Sequence, residues 1–367
     1  MFKKIIHFFL MSIFLLVGCS DQRPVEDLSF PLVIGLDIDD YKNLHVYMSN
    51  PVFTKKTIQK EEIQQVKSFT VRNSPEKFDR QFMGMITGSK IQVILIGEKL
   101  LQQKNWVKYL DTFYRDPNNN MTARIIAVAG PVANIFQYTA KHKSGFSLYL
   151  TKLLNTAHTR NTLVSATLHD LYNQVSEKGI TPSLGQIQQK DVLQVNGSVL
   201  LDHTSKKIMS ITPIETKLLH ILQNKKKGHF LFTLPLLHQT TTDFANHISF
   251  YIQDMKVHTN VVYNEKFNFY TNITMNIIIT EFSPQSSRPK SISFLEKKIE
   301  REMTSRFQLF TEEIQKHQID PIGYGLYARA YAYPEWKKSC HNWGMVYAQA
   351  TTQINVKVKI LGIGNIE

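Results

Sequence analysis

The sequence predicts a multi-domain protein of mixed α/β (α+β) class, with an N-terminal α/β region before a strand-rich C-terminal region that carries a long amphipathic helix. Strand-like and helix-like segments alternate in the first half, as in layered α/β folds. After residue 229 the strand-like segments follow one another directly, which is typical of antiparallel sheets. With 43% hydrophobic residues, the chain can bury a substantial core, and its length suggests two or three domains.

Turn and connector signals along the sequence predict where these regions begin and end. We expect a signal peptide over residues 1–18, an N-terminal α/β domain over 19–188, a small hairpin–helix domain over 189–228, and a C-terminal domain of antiparallel sheet plus long helix over 229–367.

The N-terminus carries the most informative pattern. Lys3 and Lys4 precede an apolar stretch over residues 5–17, and Gly18 stands directly before Cys19. A small residue before a cysteine is the pattern that bacterial lipoprotein processing requires, and the apolar run is shorter than the ~20 residues of a spanning helix. We therefore predict that Cys19 becomes the lipidated N-terminus, an N-palmitoyl and S-diacylglycerol cysteine. An ordinary secretory signal and a single membrane anchor are the alternatives.

The elements of the first half follow a polar tether over residues 19–28. We expect strands at 30–38, 43–48, 91–96 and 122–129, and helices at 76–86, 99–114, from 132, 146–154 and 163–176. Residues 181–186 contain proline and glycine and are predicted to be a connector.

The second half begins with a hairpin, residues 192–201 and 207–210, followed by a capping box at Thr212 and Glu215 that starts a helix. We expect strands at 230–236, 248–257 and 259–281, and a closing strand at 353–361. A second capping box is predicted at Ser293 and Glu296. The helix after it has apolar residues every three or four positions from Ile292 to residue 314, so it should lie across a sheet; a coiled-coil dimer is the alternative.

Three aspartates near the first turn invite a calcium interpretation, which the spacing does not support. In a calcium-binding loop counted from Asp37, Lys42 would stand where glycine is needed and Met48 where the bidentate glutamate is needed. Asp37, Asp39 and Asp40 are therefore predicted to form a turn.

No catalytic or cofactor-binding constellation is predicted. His169 and Asp170 are adjacent in a helix and point about 100° apart, and His238 and His247 match no metal spacing. Asp320 precedes a proline and is interpreted as a turn former. We expect no enzymatic activity, no metal and no cofactor.

The formal net charge is +13, and it becomes +11 once Lys3 and Lys4 leave with the signal peptide. The densest basic run is Lys225-Lys226-Lys227. The excess predicts a solvated surface that faces anionic lipid or an acidic partner rather than nucleic acid. Cys340 has no partner once Cys19 is acylated, so no disulfide is expected.

Four segments resemble the Ger(x)C family of spore germination lipoproteins. They are residues 19–28 with the strand to Asp37, residues 111–116 with the strand after them, residues 197–201 with the hairpin, and residues 320–362 with Tyr333-Pro334-Glu335-Trp336, Asn342-Trp343 and the last strand. Ser20 stands where family members usually have tryptophan, and Asp320-Pro321 replaces a commoner apolar step.

The resemblance implies a three-domain C subunit of a nutrient germinant receptor, held by its lipid on the outer face of the spore's inner (cytoplasmic) membrane. Its partners would be the membrane and the integral-membrane A and B subunits, with no nucleic acid. Trp336 and Trp343 are interpreted as core residues, with a partner-facing aromatic patch as the alternative.

A solute-binding lipoprotein of a transporter is the alternative function, and it would have two similar α/β lobes around a cleft. A secreted hydrolase ranks third, because nucleophile and metal patterns are missing.

Overall fold

The computed structural model describes residues 24, 27–52, 61–81, 84–142, 145–225, 227–235, 247–282 and 291–364. Their strands form an eight-stranded sheet, a four-stranded sheet and a short two-stranded pair. The strands of the first half are β1 (Leu28–Ser29), β2 (Val33–Ile38), β3 (Leu44–Pro51), β4 (Glu61–Ser68), β5 (Met85–Ile86), β6 (Val93–Ile96), β7 (Arg124–Val128), β8 (Ser183–Gln189), β9 (Leu193–Leu201) and β10 (Lys207–Ile211).

The eight-stranded sheet has the order β10-β9-β8-β7-β6-β2-β3-β4. Its four central strands, β8, β7, β6 and β2, run parallel, and antiparallel strands flank them on both sides. Such a parallel centre needs helices on both faces. The helices are α1 (Ser74–Asp79), α2 (Glu98–Leu101), α3 (Asp111–Arg115), α4 (Val132–His142), α5 (Phe146–Thr159), α6 (Leu168–Ser176) and α7 (Pro213–Leu222). α4 and α5 cover one face, and the others pack on the opposite face.

The four-stranded sheet has the order β11 (Phe230–Pro235), β12 (His247–Asn264), β13 (Lys266–Phe282) and β14 (Thr351–Ile363). The helices of this part are α8 (Ile292–Lys316), α9 (Tyr324–Tyr331), α10 (Tyr333–Ser339) and α11 (Trp343–Gln349). α8 lies across the sheet and buries the side chains that its three- and four-residue spacing predicts, from Leu295 to Ile314. The predicted fold class, an α/β region followed by a strand-rich region with a long helix, is confirmed.

Several predicted elements differ from the structure. Residues 181–186 are not a connector, because Ser183–Gln189 form the buried strand β8 between β7 and β9. The hairpin β9–β10 therefore continues the eight-stranded sheet, so the predicted boundary after residue 188 falls within that sheet. The predicted helix 76–86 ends at Asp79, and the predicted helix 99–114 is broken by Asn105, whose φ is +57°.

The second capping box is also wrong. Ser291, not Ser293, caps α8, by accepting a hydrogen bond from the Phe294 amide. Glu296 instead accepts a hydrogen bond from the Ile360 amide at 2.9 Å. One turn further on, Glu300 accepts one from the Val358 amide, also at 2.9 Å. Since β14 is an edge strand, these carboxylates occupy amides that would otherwise be free to pair with another chain.

We expect the double substitution Glu296→Ala and Glu300→Ala to lower the free energy of unfolding by about 2 kcal/mol, since two amides lose charged acceptors. Urea denaturation measures this, and light scattering should report faster aggregation of the variant. Lys297→Ala, which removes an exposed side chain from the same helix, is the control and should change the free energy by less than about 0.5 kcal/mol. Equal stability of the double variant and wild type would contradict the role assigned to the two glutamates.

Candidate functional site

The predicted lipid-attachment residue, Cys19, lies outside the described residues. The regular fold begins with β1, which pairs in parallel with β5. Among the described residues, no helix is long and apolar enough to cross a membrane.

A cleft of about 710 Å³ opens beside β1. Its floor is apolar and includes Ile34 and Met48, which belong to the core face of the sheet. The six-residue helix α1 contributes Ser74, Pro75 and Asp79 to its lining. At its rim Arg72 pairs with Asp116 at 3.2 Å. An apolar floor with a polar rim suits an apolar or amphipathic group; none of the described lining residues is a histidine or cysteine.

The three aspartates of the first turn do not converge. Asp39 forms the turn by accepting hydrogen bonds from the amides of Tyr41 and Asn43, and the bond from the Asn43 side chain is the largest cause that lowers its pKa. Asp37 points into the protein and accepts a hydrogen bond from the Val132 amide at 3.0 Å, at the start of α4. Burial raises the pKa of Asp37. Asp39 therefore forms the predicted turn, whereas the turn role predicted for Asp37 is wrong, because its carboxylate binds the start of α4.

The histidines singled out in the sequence are also separate. Asp170 belongs to the capping box of α6 with Thr167, and His169 contacts Asn173 on the exposed face of that helix. His247 begins β12, and His238 lies outside the described residues. Within the described part of the chain, no three potential metal ligands come together.

The buried residue Asp320 connects the two halves of the molecule, its carboxylate on one side and its backbone carbonyl on the other. Asp320 is fully buried and accepts hydrogen bonds from the amides of Gly323 and Gly325 and from Trp343 Nε1, each at 2.8 Å. Burial raises its pKa against the lowering effect of these donors. Its own carbonyl accepts a hydrogen bond from the Thr181 amide, just before β8, at 2.9 Å. We call Asp320, Gly325, Trp343 and their partner Gly179 the central joint.

Glycine is required on both sides of the central joint. A Cβ on Gly325 would lie 2.6 Å from the Cα of Gly179 and 2.7 Å from Trp343 Nε1. Beside it, Glu177 binds the guanidinium of Arg329 through both carboxylate oxygens at 2.9 Å. The turn predicted at Asp320 is therefore present, and the backbone carbonyl of Asp320 also links this turn to the segment just before β8.

Both tryptophans of the predicted site are core residues. Trp343 is 4% exposed and packs edge-on against Phe267, while Trp336 is 7% exposed with Arg329 over its ring. The burial of both rings agrees with the interpretation of Trp336 and Trp343 as core residues and offers little surface for a partner-facing patch.

Comparison with known proteins identifies the family. Residues 21–189 match the spore germination protein N-terminal domain, and residues 196–364 match the C-terminal domain described as spore germination B3/GerAC like. The chain belongs to the Ger(x)C family. Both matches together span the described fold of this Ger(x)C protein except for residues 190–195.

Relatives of this Ger(x)C chain match over nearly their full length. Spore germination protein GerQC of Bacillus cereus is 23% identical, with all of both chains covered. Spore germination protein B3 of Bacillus subtilis (strain 168) is 22% identical over 96% of this chain and 95% of its own. The crystal structure of the GerBC protein matches with a TM-score of 0.61 and 16% identity, over 89% of this chain and 96% of that one. That structural match supports the fold alone.

The cleft and the central joint were not predicted from the sequence. The cleft is lined by residues that are dispersed between Leu28 and Asn119, and the joint unites residues from three distant segments. The only signal was the glycine- and proline-rich run after Asp320, which the family resemblance had already marked.

Proposed function

We propose that this protein is the lipid-anchored C subunit of a nutrient germinant receptor. It supports or couples a receptor complex with integral-membrane A and B subunits, on the outer face of the spore's inner membrane. It has no catalytic role of its own. The observation that carries the proposal is the pair of family matches, over residues 21–189 and 196–364, that follows a lipoprotein pattern ending at Cys19.

The architecture favours this function over solute delivery. A solute-binding lipoprotein would have two similar lobes, whereas here one part is a helix-covered sheet of eight strands and the other a sheet of four strands. The described residues of the two parts also share a continuous apolar core, which leaves no hinge around which a cleft would close.

Two strains of the spore-forming host test the proposal: a deletion of the gene, and a Cys19→Ala substitution at the native locus. We expect both to lose germination in response to one class of nutrient, because an unanchored subunit does not accumulate beside its partners. Germination is scored by the fall in optical density and the release of dipicolinate.

Germination triggered by calcium dipicolinate should stay normal in both strains, since it bypasses nutrient receptors. Metabolic labelling with palmitate should mark the wild-type protein and not the Cys19→Ala variant. If the deletion strain germinates normally with every nutrient but fails to take up a solute during growth, the receptor role is wrong.

A further inference from the structure

An unpaired basic surface lies at one end of the parallel strands. It consists of Arg124, Arg160, Lys225 and Lys227, which we call the basic edge. Arg160, Lys225 and Lys227 are exposed and Arg124 is half-buried. Within the described part of the chain, no salt bridge reaches any of the four.

Helix α5 organises this surface by crossing the ends of successive strands. Thr151 donates a hydrogen bond to Gln92, just before β6, at 3.0 Å, and one turn later Asn155 accepts one from Arg124 at the start of β7. One turn later again, the carbonyl of Thr159 accepts a hydrogen bond from the His229 amide at 2.7 Å. Residues four apart lie on one face of a helix, so α5 aligns Arg124 with the loop that carries the lysines.

The lysine loop is held against the end of α5 rather than left free. Asn161, which follows the helix, donates its side-chain amide to the carbonyl of Lys227 at 3.1 Å. Three of the positive charges act on one neighbour, His158. Burial is the largest cause that lowers the pKa of His158, and the charges of Arg124, Lys225 and Lys227 lower it further. These effects disfavour a charge on His158, so the positive charge of this surface comes from the basic edge. Burial lowers the pKa of Lys225, and the charge of Asp170 opposes that shift.

The dipole of α5 explains the presence of only some of these cations. Cations at the C-terminus of α5 complement its partial negative charge, as Glu61 does at its N-terminus by accepting the Ser147 amide. That effect fades within one turn, whereas Arg124 lies on another element. Mutual repulsion among four like charges is a cost that an anionic partner would relieve.

The tether leaves the fold at the same end of the sheet. The Gln92 amide donates to the carbonyl of Leu32 at 2.8 Å, and the Arg124 amide donates to the carbonyl of Gln92 at 2.9 Å. Arg124 therefore lies two strand spacings, about 10 Å, from the start of β2. Residues 19–27 could extend at most ~30 Å from Leu28. A lipid on Cys19 thus keeps this end of the sheet within reach of the bilayer.

We propose that the basic edge docks on the anionic phospholipid headgroups of the membrane to which Cys19 tethers the chain. This inference rests on the proposed lipid anchor. Contact with the headgroups would orient the molecule with the amino-terminal ends of β2, β6 and β7 toward the bilayer. The open face of the four-stranded sheet would then not be the membrane-facing surface.

The test uses residues 20–367, the mature chain without its lipidated cysteine, and vesicles of phosphatidylcholine with about one third phosphatidylglycerol. The triple variant Arg124→Gln, Lys225→Gln and Lys227→Gln should bind about 100-fold more weakly than wild type, because each basic residue near an anionic surface changes affinity about five-fold. Wild-type binding should also fall steeply between about 0.1 M and about 0.5 M salt. Vesicle sedimentation measures both.

The matched control removes three exposed lysines from the four-stranded sheet, Lys256→Gln, Lys357→Gln and Lys359→Gln. It should bind within about three-fold of wild type, since charges far from the surface are screened. Equal weakening of both triple variants would show a nonspecific charge effect and overturn the inference. Circular dichroism spectra and melting curves should coincide for the three proteins.

Other partners of the basic edge would give other results. Displacement of the chain from vesicles by millimolar inorganic phosphate would indicate a discrete phosphate site, and binding to polyglutamate but not to vesicles would indicate an acidic protein; either result overturns the inference. Vesicle binding without palmitate labelling of Cys19 would instead refute the anchor and leave the basic edge standing. Labelling without vesicle binding would refute only the docking.

Discussion

Replacing Asp320 with alanine is expected to lower the free energy of unfolding by about 3–5 kcal/mol. The carboxylate is fully buried and accepts three hydrogen bonds, from the amides of Gly323 and Gly325 and from Trp343 Nε1. The substitution would leave all three donors buried without an acceptor, and each lost partner costs about 1–3 kcal/mol. Urea denaturation followed by tryptophan fluorescence measures the loss, because Trp343 is one of the donors.

Two further variants test whether the loss comes from the missing hydrogen-bond acceptors of Asp320. Asp320→Asn keeps one side-chain oxygen, so we expect a loss of about 2 kcal/mol. Asp254→Ala removes an exposed aspartate on β12 and should change stability by less than about 0.5 kcal/mol. An ordinary hydrogen bond contributes about 1 kcal/mol. If the free energies of unfolding of Asp320→Ala and wild type differ by less than about that amount, the central joint does not depend on this carboxylate.

The parts of the fold that were predicted correctly are those that depend on neighbouring residues. Thr212 and Glu215 form the predicted capping box, in which each side chain bonds the backbone of the other. The apolar positions of α8 are buried as their spacing predicts, with the exception of Ile292, which is 53% exposed in the first turn. Local chemistry decides such features, so one sequence suffices to predict them.

Strand β8 was missed because its local signals indicate a turn. Pro182 and Gly185 break the pattern of a strand, yet residues 183–187 are buried. Gly185 is needed for packing, since a Cβ there would lie 2.5 Å from the Leu163 side chain and 2.6 Å from the Val164 carbonyl. Close packing between segments some twenty residues apart cannot be predicted from the residues next to Gly185.

The start of α8 shows why a short sequence motif can be assigned to the wrong residues. Ser293 and Glu296 have the spacing of a capping box, and the sequence provides no reason to reject it. Ser291 takes the capping role, while Glu296 reaches a strand that lies 64 residues further along the chain. The capping-box motif therefore predicted the start of α8 to within two positions. It assigned the wrong hydrogen-bond partner to the Glu296 carboxylate.

Replacing Gly325 with alanine should destabilise the protein by about 3 kcal/mol, near the upper end of the usual cost of overpacking. The new methyl group would lie 2.6 Å from the Cα of Gly179 and 2.7 Å from the Gly179 carbonyl oxygen. Both contacts are with backbone, which yields less readily than a side chain. The segment at Gly179 would therefore be pushed away from α9, and the bond from the Thr181 amide to the Asp320 carbonyl would lengthen.

Because this contact lies between the two parts of the molecule, the Gly325→Ala protein should loosen locally around Gly179 before either sheet unfolds. Limited proteolysis should then cut within residues 176–182, which the wild-type protein protects. Gly362→Ala is the matched control, since its Cβ would meet no atom within 4 Å, and it should resist protease as wild type does. If Gly325→Ala and Gly362→Ala are equally stable and equally resistant, the two glycines of the central joint are not required for close packing.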